Sequence, residues 1–448
     1  MIDGATALDR CAQLIEAARR HGADAADAAA RAQSSEGVAV RLGKLEDVER
    51  SEGESIALRV FVGQRSASIE TSDFAPAALA ELAEHAVAMA RVAPEDPHAG
   101  LAPEALLDRG GASDLDLEDR GEPGPEALRS RAEETEDAAR AVDGVTNSEG
   151  ASASFGRSLF ALATSHGFAR AYGATHHSLS AAVIGGAGAA MQRDYAQRSA
   201  RHFADLPAPD AIGRLAGERT VARLNPEIPR GGRMPVLFDP RVGASLVGHL
   251  VGAMAGPAIA SRASFLLGRE GERLFPEDID LVEDPHRPRA LRSRPFDGEG
   301  LACAPRKLVD RGVPGGWLLN VASAAKLGLA PTGHASRGGG GAPGVSASNL
   351  HIRAGAASRA AMIADVAEGV LITEMAGQGV NLVTGDYSRG ASGFRIVNGE
   401  IAGPIAEFTV AGNLLAMFAG LRAADDLEMH RSVNVPTLRV EGMTVAGA

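Results

Sequence analysis

The stretch from Gly369 to Phe418, GVLITEMAGQGVNLVTGDYSRGASGFRIVNGEIAGPIAEFTVAGNLLAMF, contains the strongest local signals for the fold of this chain. Within it, Asn398-Gly399 stands between two strand-like segments, GFRIV and EIAGPI. Asn-Gly is a preferred centre of a two-residue hairpin turn, because both residues tolerate positive φ. The stretch therefore predicts an antiparallel hairpin within a strand-rich region.

The region upstream of this stretch predicts more elements of the same unit. Met234–Phe238 is strand-like, and a helix follows it with Val242, Leu246, Val247, Leu250 and Met254 on one side. Asp310-Arg311-Gly312 predicts a further hairpin turn. We therefore predict a C-terminal domain at 227–448, rich in antiparallel strands.

The middle of the chain predicts a unit at 125–226. Pro125 suits the first turn of a helix that ends near Gly144. Residues 145–206 are rich in Ser, Ala, Thr and Gly in short alternating pieces, which indicates a meander of antiparallel strands. A helix with Ile212, Leu215 and Val221 closes this unit.

The N-terminal unit spans 1–93. Its first helix carries Leu8, Cys11, Leu14, Ile15 and Ala18, and two strands follow at 56–62 and 66–71. Residues 23–33 are compatible with a helix or a strand. A helix with Leu79, Leu82, Ala86 and Met89 is expected to be capped by Ser72 or Asp73. Residues 94–124 are rich in Pro, Gly, Asp and Glu and predict a linker.

Composition and charge exclude some classes of function. The chain has 448 residues, with 45 Lys+Arg against 57 Asp+Glu and a net charge of −12. Between residues 94 and 149 there are 16 acidic and 5 basic residues, which favours a solvated helix and linker over a site for a basic partner. A duplex-binding protein needs clustered Lys and Arg, so we expect no nucleic-acid partner.

The sequence also indicates where the chain resides. No uncharged apolar run is long enough to cross a membrane, and the N-terminal 22 residues lack the apolar stretch of a secretory signal. Two cysteines, Cys11 and Cys303, are too few for a disulfide framework or a multi-thiolate zinc site. We therefore expect a cytoplasmic protein without a membrane partner.

Several common catalytic motifs are absent from the sequence. There is no GxxxxGK[ST] phosphate loop, no GxSxG nucleophile elbow and no HExxH zinc helix. His176 and His177 would point to opposite faces of a strand, so one ion cannot easily bind both. The glycine run at 338–341 favours a loop over a ligand-binding segment.

Blocks along most of the chain resemble one family. The stretch 369–418 closely resembles the TldE/PmbA branch of the TldD/PmbA family, and other blocks match it in the same order. These blocks are SIALRVFVGQRSASIETSDF, LVGHLVGAMAG, SRASFL, PFDGEG and KLGLAPTGHA. The resemblance implies an α+β fold of the PmbA/TldD type, with a mixed α/β N-terminal portion followed by the larger strand-rich domain.

The resemblance also implies a function. Members of this family form a zinc metallopeptidase from two related subunits, and the TldD-like subunit carries an HExxxH helix. Its two histidines bind zinc and its glutamate activates water. The TldE/PmbA-like subunit lacks that motif, and the family also has the label "modulator of DNA gyrase". The partner implied for this chain is a TldD-like subunit in a heterodimer, or a second copy in a homodimer.

Residues 248–253 stand in the register of HExxxH. The two ligand positions are then Gly248 and Ala253, and the position of the water-activating carboxylate is His249. Neither Gly nor Ala has a side-chain lone pair for zinc. The thiolate that the TldD-like subunit supplies near its C-terminus is also missing, since no cysteine follows Cys303. We therefore expect neither catalytic residues nor a metal in this chain, with zinc in the TldD-like partner.

Six residues are candidates for substrate or partner contact. His249 is either a hydrogen-bonded core or interface histidine or a residue that touches the partner's cavity. Asp386, Tyr387, Ser388 and Arg389 either form a tight turn with an Asp386–Arg389 pair or hydrogen-bond an extended peptide. Glu374 is either a buried carboxylate or a peptide-positioning group.

The favoured hypothesis is a non-catalytic subunit that degrades or processes short or unfolded peptides together with a TldD-like subunit. One alternative is an independent hydrolase that uses Ser388, His334 and Asp386. The other alternative is a regulatory or scaffold protein of the gyrase-modulator type.

Overall fold

Four β-sheets, of six, five, two and six strands, and their helices form the framework of the chain in a computed structural model, which describes residues 1–110, 114–338 and 340–447. The helices are α1 Gly4–Arg20, α2 Pro76–Val92, α3 Pro125–Arg140, α4 Pro209–Ala222, α5 Pro240–Met254, α6 Gly256–Ala260, α7 Val321–Leu327, α8 Arg359–Ala364 and α9 Leu414–Ala419. The strands are β1 Ala25–Arg41, β2 Lys44–Val62, β3 Arg65–Thr71, β4 Val145–Thr164, β5 Ala169–Gly185, β6 Gln192–Ala200, β7 Gly232–Phe238, β8 Leu281–Asp284, β9 Arg306–Asp310, β10 Val313–Pro314, β11 Ala335–Ser336, β12 Gly344–Val345, β13 Asn349–Ile352, β14 Glu368–Ala376, β15 Asp386–Val397, β16 Glu400–Asn413, β17 Arg422–Ala423, β18 Val433–Asn434 and β19 Leu438–Ala446.

Strands from the N-terminal and middle parts of the chain pair in one antiparallel sheet. Its order is β3-β2-β1-β4-β5-β6. The predicted meander at 145–206 is confirmed as β4, β5 and β6. Of residues 23–33, which the sequence left undecided, 25–33 form the first part of β1, because β1 pairs with β2 on one side and β4 on the other. Pairing on both sides outweighs the helix propensity of alanine.

Four helices cover one face of this sheet. Ala26, Ala28 and Ala30 of β1 are buried in the core that contains α1 and α2, and Val38 and Val40 of the same strand are buried in the core that contains α3 and α4. These positions all have even numbers and lie on one face. The opposite face packs against the C-terminal part of the chain through a separate apolar cluster. Its buried members are Ala29, Leu162, Phe168 and Phe296.

The C-terminal domain contains a barrel-like sheet. Its order is β16-β15-β14-β7-β19-β17, and β16 also pairs with β19, which closes five of the strands into a ring. The predicted hairpin is confirmed: β15 and β16 are joined at Asn398-Gly399, with φ of 51° and 81°. Most pairs in this sheet are antiparallel as expected, but β14 runs parallel to β7. In the separate five-stranded sheet, β13 runs parallel to β18.

The helix that follows β7 lies beside the ring of strands. Asp239 caps α5, since its Oδ1 accepts a hydrogen bond from the Arg241 backbone N–H at 3.1 Å. The apolar side of α5 buries Leu246, Leu250 and Ala253 in the main core. The other side remains partly open and carries Arg241, Ser245 and Gly248.

The start of α2 and the segment after it can be compared with the sequence expectations. The predicted cap of α2 at Ser72 or Asp73 is wrong: α2 begins after Ala75, with Pro76 in its first turn. Proline has no backbone N–H, so the first turn has one donor fewer that needs a partner. Residues 94–124, expected as a linker, connect α2 to α3, although 111–113 lie outside the described residues. Leu115 and Leu117 of this segment are buried.

No helix in the described part of the chain is both long and apolar enough to cross a membrane.

Close packing of α3 on α4 gives a stability prediction. A Cβ on Gly213 of α4 would overlap the Thr135 carbonyl and lie 2.9 Å from the Ala138 Cβ. We expect Gly213→Ala to lower the unfolding free energy by roughly 1–3 kcal/mol, because the two helices would have to separate. Urea or thermal unfolding measures the change.

The matched control is Gly248→Ala in α5. No described atom lies within 4 Å of a Cβ at that position. Alanine should therefore leave the stability unchanged or raise it by up to about 1 kcal/mol. Equal destabilisation by both substitutions would contradict the proposed close contact.

Candidate functional site

The open side of α5 is the centre of the candidate site. Arg241, Ser245 and His249 follow each other at intervals of four residues, so they lie along one face of the helix. Gly248, next to His249, is exposed, whereas Ala253 is fully buried. Of the two positions in the register of the zinc-binding histidines, one is therefore open to solvent and the other is enclosed in the core.

His249 lies half-buried against an aromatic ring. Its ring centroid is 6.0 Å from that of Tyr387, in an edge arrangement with 74° between the planes. Burial, and after it the charge of Arg389, lowers the pKa of His249. Its Nε2 is buried without a hydrogen-bond partner among the described residues. His249 is thus a neutral imidazole with one free nitrogen.

The residues 386–389 do not act as one group. They begin β15, where successive side chains point to opposite faces. Tyr387 is buried and contacts His249, and Arg389 lines a cavity beside α5, while Asp386 and Ser388 are exposed. The alternative in which Asp386 pairs with Arg389 is therefore wrong, because residues an odd number apart in a strand lie on opposite faces.

Asp386 has other partners at the start of β15. Its Oδ2 accepts from Thr384 Oγ1 at 2.7 Å, and its Oδ1 accepts from Asn413 Nδ2 at 3.3 Å. These hydrogen bonds, that of Thr384 first, lower the pKa of Asp386. Asp386 therefore stabilises the β15–β16 end, where it is directly opposite Asn413 in the register.

Tyr387 and Arg389 bring an apolar and a charged group to the same wall. The Tyr387 hydroxyl donates to the Met375 sulfur at 3.5 Å, and burial raises the pKa of Tyr387 to about 12. The phenol is therefore protonated at neutral pH. Arg389 Nε is buried without a hydrogen-bond partner in the described ranges. This guanidinium retains hydrogen-bonding capacity toward the cavity.

Glu374 reaches the same cavity because β14 is irregular. The register of β14 against β15 shifts between Ile372 and Glu374, and such a bulge redirects side chains. The Glu374 carboxylate forms an ion pair with Arg223, the residue after α4, and remains partly exposed, with 43% of its side chain accessible. Glu374 is thus a paired surface carboxylate at the edge of the cavity rather than a buried one.

A buried carboxylate links this cavity to the first sheet. Asp194 of β6 accepts two hydrogen bonds from Arg241, at 2.7 and 3.0 Å, and one from Arg223 at 3.5 Å. Burial alone would raise the pKa of Asp194, but the hydrogen bonds and charge of Arg241 outweigh burial and lower it. Asp194 is therefore ionised and holds two arginines in place.

These groups enclose a cavity of about 270 Å³ between β6, α5, β14 and β15. We call it the α5 cavity. Its lining combines charged, hydroxyl and apolar side chains: Asp194, Tyr195, Arg241, Val242, Ser245, Thr373, Glu374, Met375 and Arg389. Such a mixture suits binding of a polar ligand with some apolar surface.

The hydrolase alternative does not agree with the geometry. His334 is buried, and its two ring nitrogens are both engaged, with Glu283 Oε2 at 2.7 Å and Thr332 Oγ1 at 2.8 Å. No described hydrogen bond joins His334 to Ser388 or Asp386. A serine nucleophile needs a base within hydrogen-bond reach, so these three residues do not form a triad.

Comparison with known proteins identifies the family. Models of the PmbA/TldA metallopeptidase match the chain in three parts: domain 1 at residues 26–90, the central domain at 118–224 and the C-terminal domain at 231–447. The chain belongs to the PmbA/TldD family. Together these matches cover most of the chain and agree with the resemblance found in the sequence.

Relatives from two bacteria match over nearly the full length. The chain is 36% identical to the metalloprotease PmbA of Escherichia coli O157:H7, over 95% of this chain and 92% of that protein. It is 34% identical to the metalloprotease PmbA homolog of Haemophilus influenzae, over 97% and 94%. It is therefore a metalloprotease-like protein of the PmbA type.

Solved structures confirm the α+β fold. A protein described as a modulator of DNA gyrase from Bacteroides thetaiotaomicron superposes with a TM-score of 0.91 at 26% identity, over 100% of both chains. TldE from Thermococcus kodakarensis superposes with a TM-score of 0.87 at 20% identity, over 98% of this chain and 100% of that one. The second match shows the shared fold alone.

The metal that the family name implies does not fit the residues of this chain. Gly248 and Ala253 have no side-chain donor atoms, and Ala253 is enclosed in the core. Cys303 is buried, its thiol is 3.4 Å from the Gly333 carbonyl, and burial raises its pKa to about 12. A thiol that stays protonated is a poor zinc ligand. No catalytic step through a metal is therefore assigned to this chain.

Sequence reasoning found only part of this site. It selected His249, Glu374, Tyr387 and Arg389, which the structure brings to α5 and its cavity. It missed Asp194, Tyr195 and Arg223 from the middle of the chain and Arg241 from the first turn of α5. One signal for Asp194 is present, since an acid occupies an inward position in the alternating QRDYAQR of β6.

The arginines around Asp194 predict how stability depends on pH. We expect Asp194→Asn to lower the unfolding free energy at pH 7 by about 3 kcal/mol, because Arg241 loses its nearest counter-charge and Arg223 loses one of its two carboxylate partners. The pKa of Asp194 is lower in the folded state than in the unfolded state. The stabilisation from its ionised form is therefore fully present above the unfolded pKa of ~4, and it is lost as the pH falls through the folded pKa. Thermal unfolding from pH 7 to 3 measures both effects.

Asp137→Asn, on the exposed side of α3, is the control and should leave the unfolding curves unchanged. If the difference in unfolding free energy between wild type and Asp194→Asn stays constant down to pH 3, Asp194 is not an ionised carboxylate bound to arginines.

Proposed function

We propose that this chain is the catalytically silent subunit of a PmbA/TldD-type metallopeptidase and acts together with a TldD-like subunit. The observation that supports this most is α5, which keeps the packing of a core helix but has Gly248, His249 and Ala253 in the register of HExxxH. Zinc and the water-activating carboxylate are then supplied by the TldD-like partner. We further propose that the pair works on short or unfolded peptides in the cytoplasm.

The α5 cavity is the part of this chain that we expect to contact peptide. Arg389 offers guanidinium N–H groups and Glu374 offers carboxylate oxygens to this cavity, while His249 and Tyr387 lie beside it on α5 and β15. Donors and acceptors in one cleft match the alternating N–H and C=O groups of an extended backbone. Asp386 and Ser388 lie on the other face of β15, so we assign them to partner contact.

A regulatory role is the second candidate, because a similar solved structure is described as a modulator of DNA gyrase. This role would need a protein partner rather than DNA, since the net charge is −12. A pull-down with the full chain that recovers gyrase subunits but no TldD-like subunit would favour it over the peptidase role.

Zinc content and activity test the proposed role directly. The chain alone should contain no stoichiometric zinc and should not cleave unfolded peptides, because it lacks the metal ligands. Mixed with its HExxxH relative, it should co-purify and give cleavage that a chelator abolishes. Metal analysis, gel filtration and a peptide-cleavage assay measure these three outcomes.

The control is the HExxxH relative assayed alone and with its glutamate changed to glutamine. Metal-dependent cleavage by this chain alone would overturn the proposal, and so would full activity of the relative with no contribution from this chain.

The role of Arg389 gives a separate prediction for the assembled pair. Arg389→Gln should raise KM for an unfolded peptide roughly 10-fold, with a smaller change in kcat, because a charged hydrogen bond to substrate is lost. Arg395→Gln, later on β15 and outside the α5 cavity, is the matched control. Equal effects of the two substitutions would exclude a specific contact from Arg389.

A further inference from the structure

A second cavity adjoins the α5 cavity and is lined by arginines. It has a volume of about 410 Å³, and Arg241 lines both. We call it the arginine cavity. Its arginines come from β6, α4, α5, the start of α8 and the segment before β18: Arg198, Arg219, Arg241, Arg359 and Arg431. Side chains that converge from five separate segments are placed by tertiary packing, unlike those of a solvated helix face.

Three of these arginines have carboxylate partners. The pairs are Arg241–Asp194 at 2.7 Å, Arg359–Asp239 at 3.3 Å and Arg198–Glu428 at 3.5 Å. Within the described ranges, no carboxylate lies at ion-pair distance from Arg219 or Arg431. These two guanidinium groups therefore carry uncompensated charge, although both are half-buried.

Neutral groups hold the two unpaired arginines in position. Arg219 Nη1 donates to the Tyr195 carbonyl at 3.2 Å, and Arg431 Nε donates to His430 Nε2 at 3.2 Å. The Asn434 side-chain oxygen accepts from the backbone N–H groups of His430 and Arg431, at 2.9 and 2.8 Å. The guanidinium groups are thus ordered before any ligand arrives, which reduces the entropy cost of binding.

The titration behaviour of nearby groups agrees with a positive potential in this cavity. Burial, followed by the charges of Arg198, Arg431 and Arg219, lowers the pKa of His430 to about 4. His430 is therefore neutral, and its Nε2 can accept the bond from Arg431. Burial and then the charge of Arg241 lower the pKa of Arg219, and burial and then that of Arg198 lower the pKa of Arg431.

The charge balance selects a class of anion. Asp239, Asp426 and Glu428 also line the arginine cavity, and Asp194 lies behind Arg241. Asp194 also binds Arg223, whose other partner is Glu374, so the whole network contains six arginines and five carboxylates, which leaves one positive charge in excess. A single carboxylate matches this excess, whereas a doubly charged phosphate would exceed it. Guanidinium groups also bind carboxylates through two parallel hydrogen bonds.

We infer that Arg219 and Arg431 form a carboxylate-binding site for a peptide, and that the bound group is its C-terminal carboxylate or an acidic side chain. This inference rests on the proposed function, because that function makes the ligand a peptide. The site shares Arg241 with the α5 cavity, so a peptide anchored by its carboxylate at Arg219 and Arg431 lies next to the groups assigned to backbone contact.

The test uses the full chain and three peptides measured by calorimetry or ligand-observed NMR. They are acetylated tetra-alanine with a free carboxylate, its C-terminal amide, and an amidated peptide with glutamate at the third position. At least one charged peptide should bind roughly 10-fold or more tighter than the neutral amide, and the tighter of the two identifies the source of the carboxylate.

Variants connect this preference to the two arginines. Arg219→Gln and Arg431→Gln should each weaken binding of the charged peptide by roughly 10- to 100-fold and leave the neutral amide unaffected. Arg214→Gln is the matched control, since Arg214 is exposed on α4 and paired with Asp210. Thermal unfolding of each variant checks its fold. For the wild-type chain, added NaCl should weaken binding of the charged peptide and leave binding of the neutral amide unchanged.

Three outcomes would overturn the inference. They are equal affinity of wild type for all three peptides, unchanged affinity in both glutamine variants, and displacement of the charged peptide by inorganic phosphate at lower concentration than by acetate. Co-purification with the TldD-like subunit is scored separately. A chain that assembles but does not prefer carboxylates contradicts this inference alone, whereas one that prefers carboxylates but does not assemble contradicts the proposed function alone.

Discussion

The paired hydrogen bonds between Asp194 and Arg241 are the contact on which the candidate site depends. Asp194 belongs to β6 of the first sheet, and Arg241 belongs to the first turn of α5 in the C-terminal domain. The carboxylate is 2% exposed, so losing either partner would remove the nearest counter-charge of a buried ion. Since Arg241 lines both cavities, this contact sets the position of the wall that they share.

The packing of α5 explains how a metallopeptidase-related fold tolerates the loss of metal ligands. Leu246, Leu250 and Ala253 bury one side of the helix in the main core, and these apolar contacts determine where it lies. Gly248 is on the open side and touches no described side chain. Residues on that side can change without altering the core, so the fold persists while its chemistry differs.

A second ionic cluster joins the two parts of the chain far from α5. Asp27 of β1 is buried between Arg59 of β2 and Arg337, which follows β11, and Arg59 also approaches Glu299 at 3.5 Å. Burial raises the pKa of Glu299 to about 7, whereas the two arginines overcome the effect of burial and lower that of Asp27. The two parts of the molecule are thus held by apolar contacts through Phe296 and by ion pairs at two separate places.

The sequence by itself determined the hairpin at Asn398-Gly399, the course of α5 and the absence of zinc donors at Gly248 and Ala253, because turn chemistry, apolar spacing and donor atoms are local properties. Only the tertiary structure decided that 25–41 is a strand and that Tyr387 and Arg389 face α5 while Asp386 faces away. It also decided that Arg219 and Arg431 line the same cavity. These outcomes depend on pairing and packing between segments distant in the chain, which local periodicity does not encode.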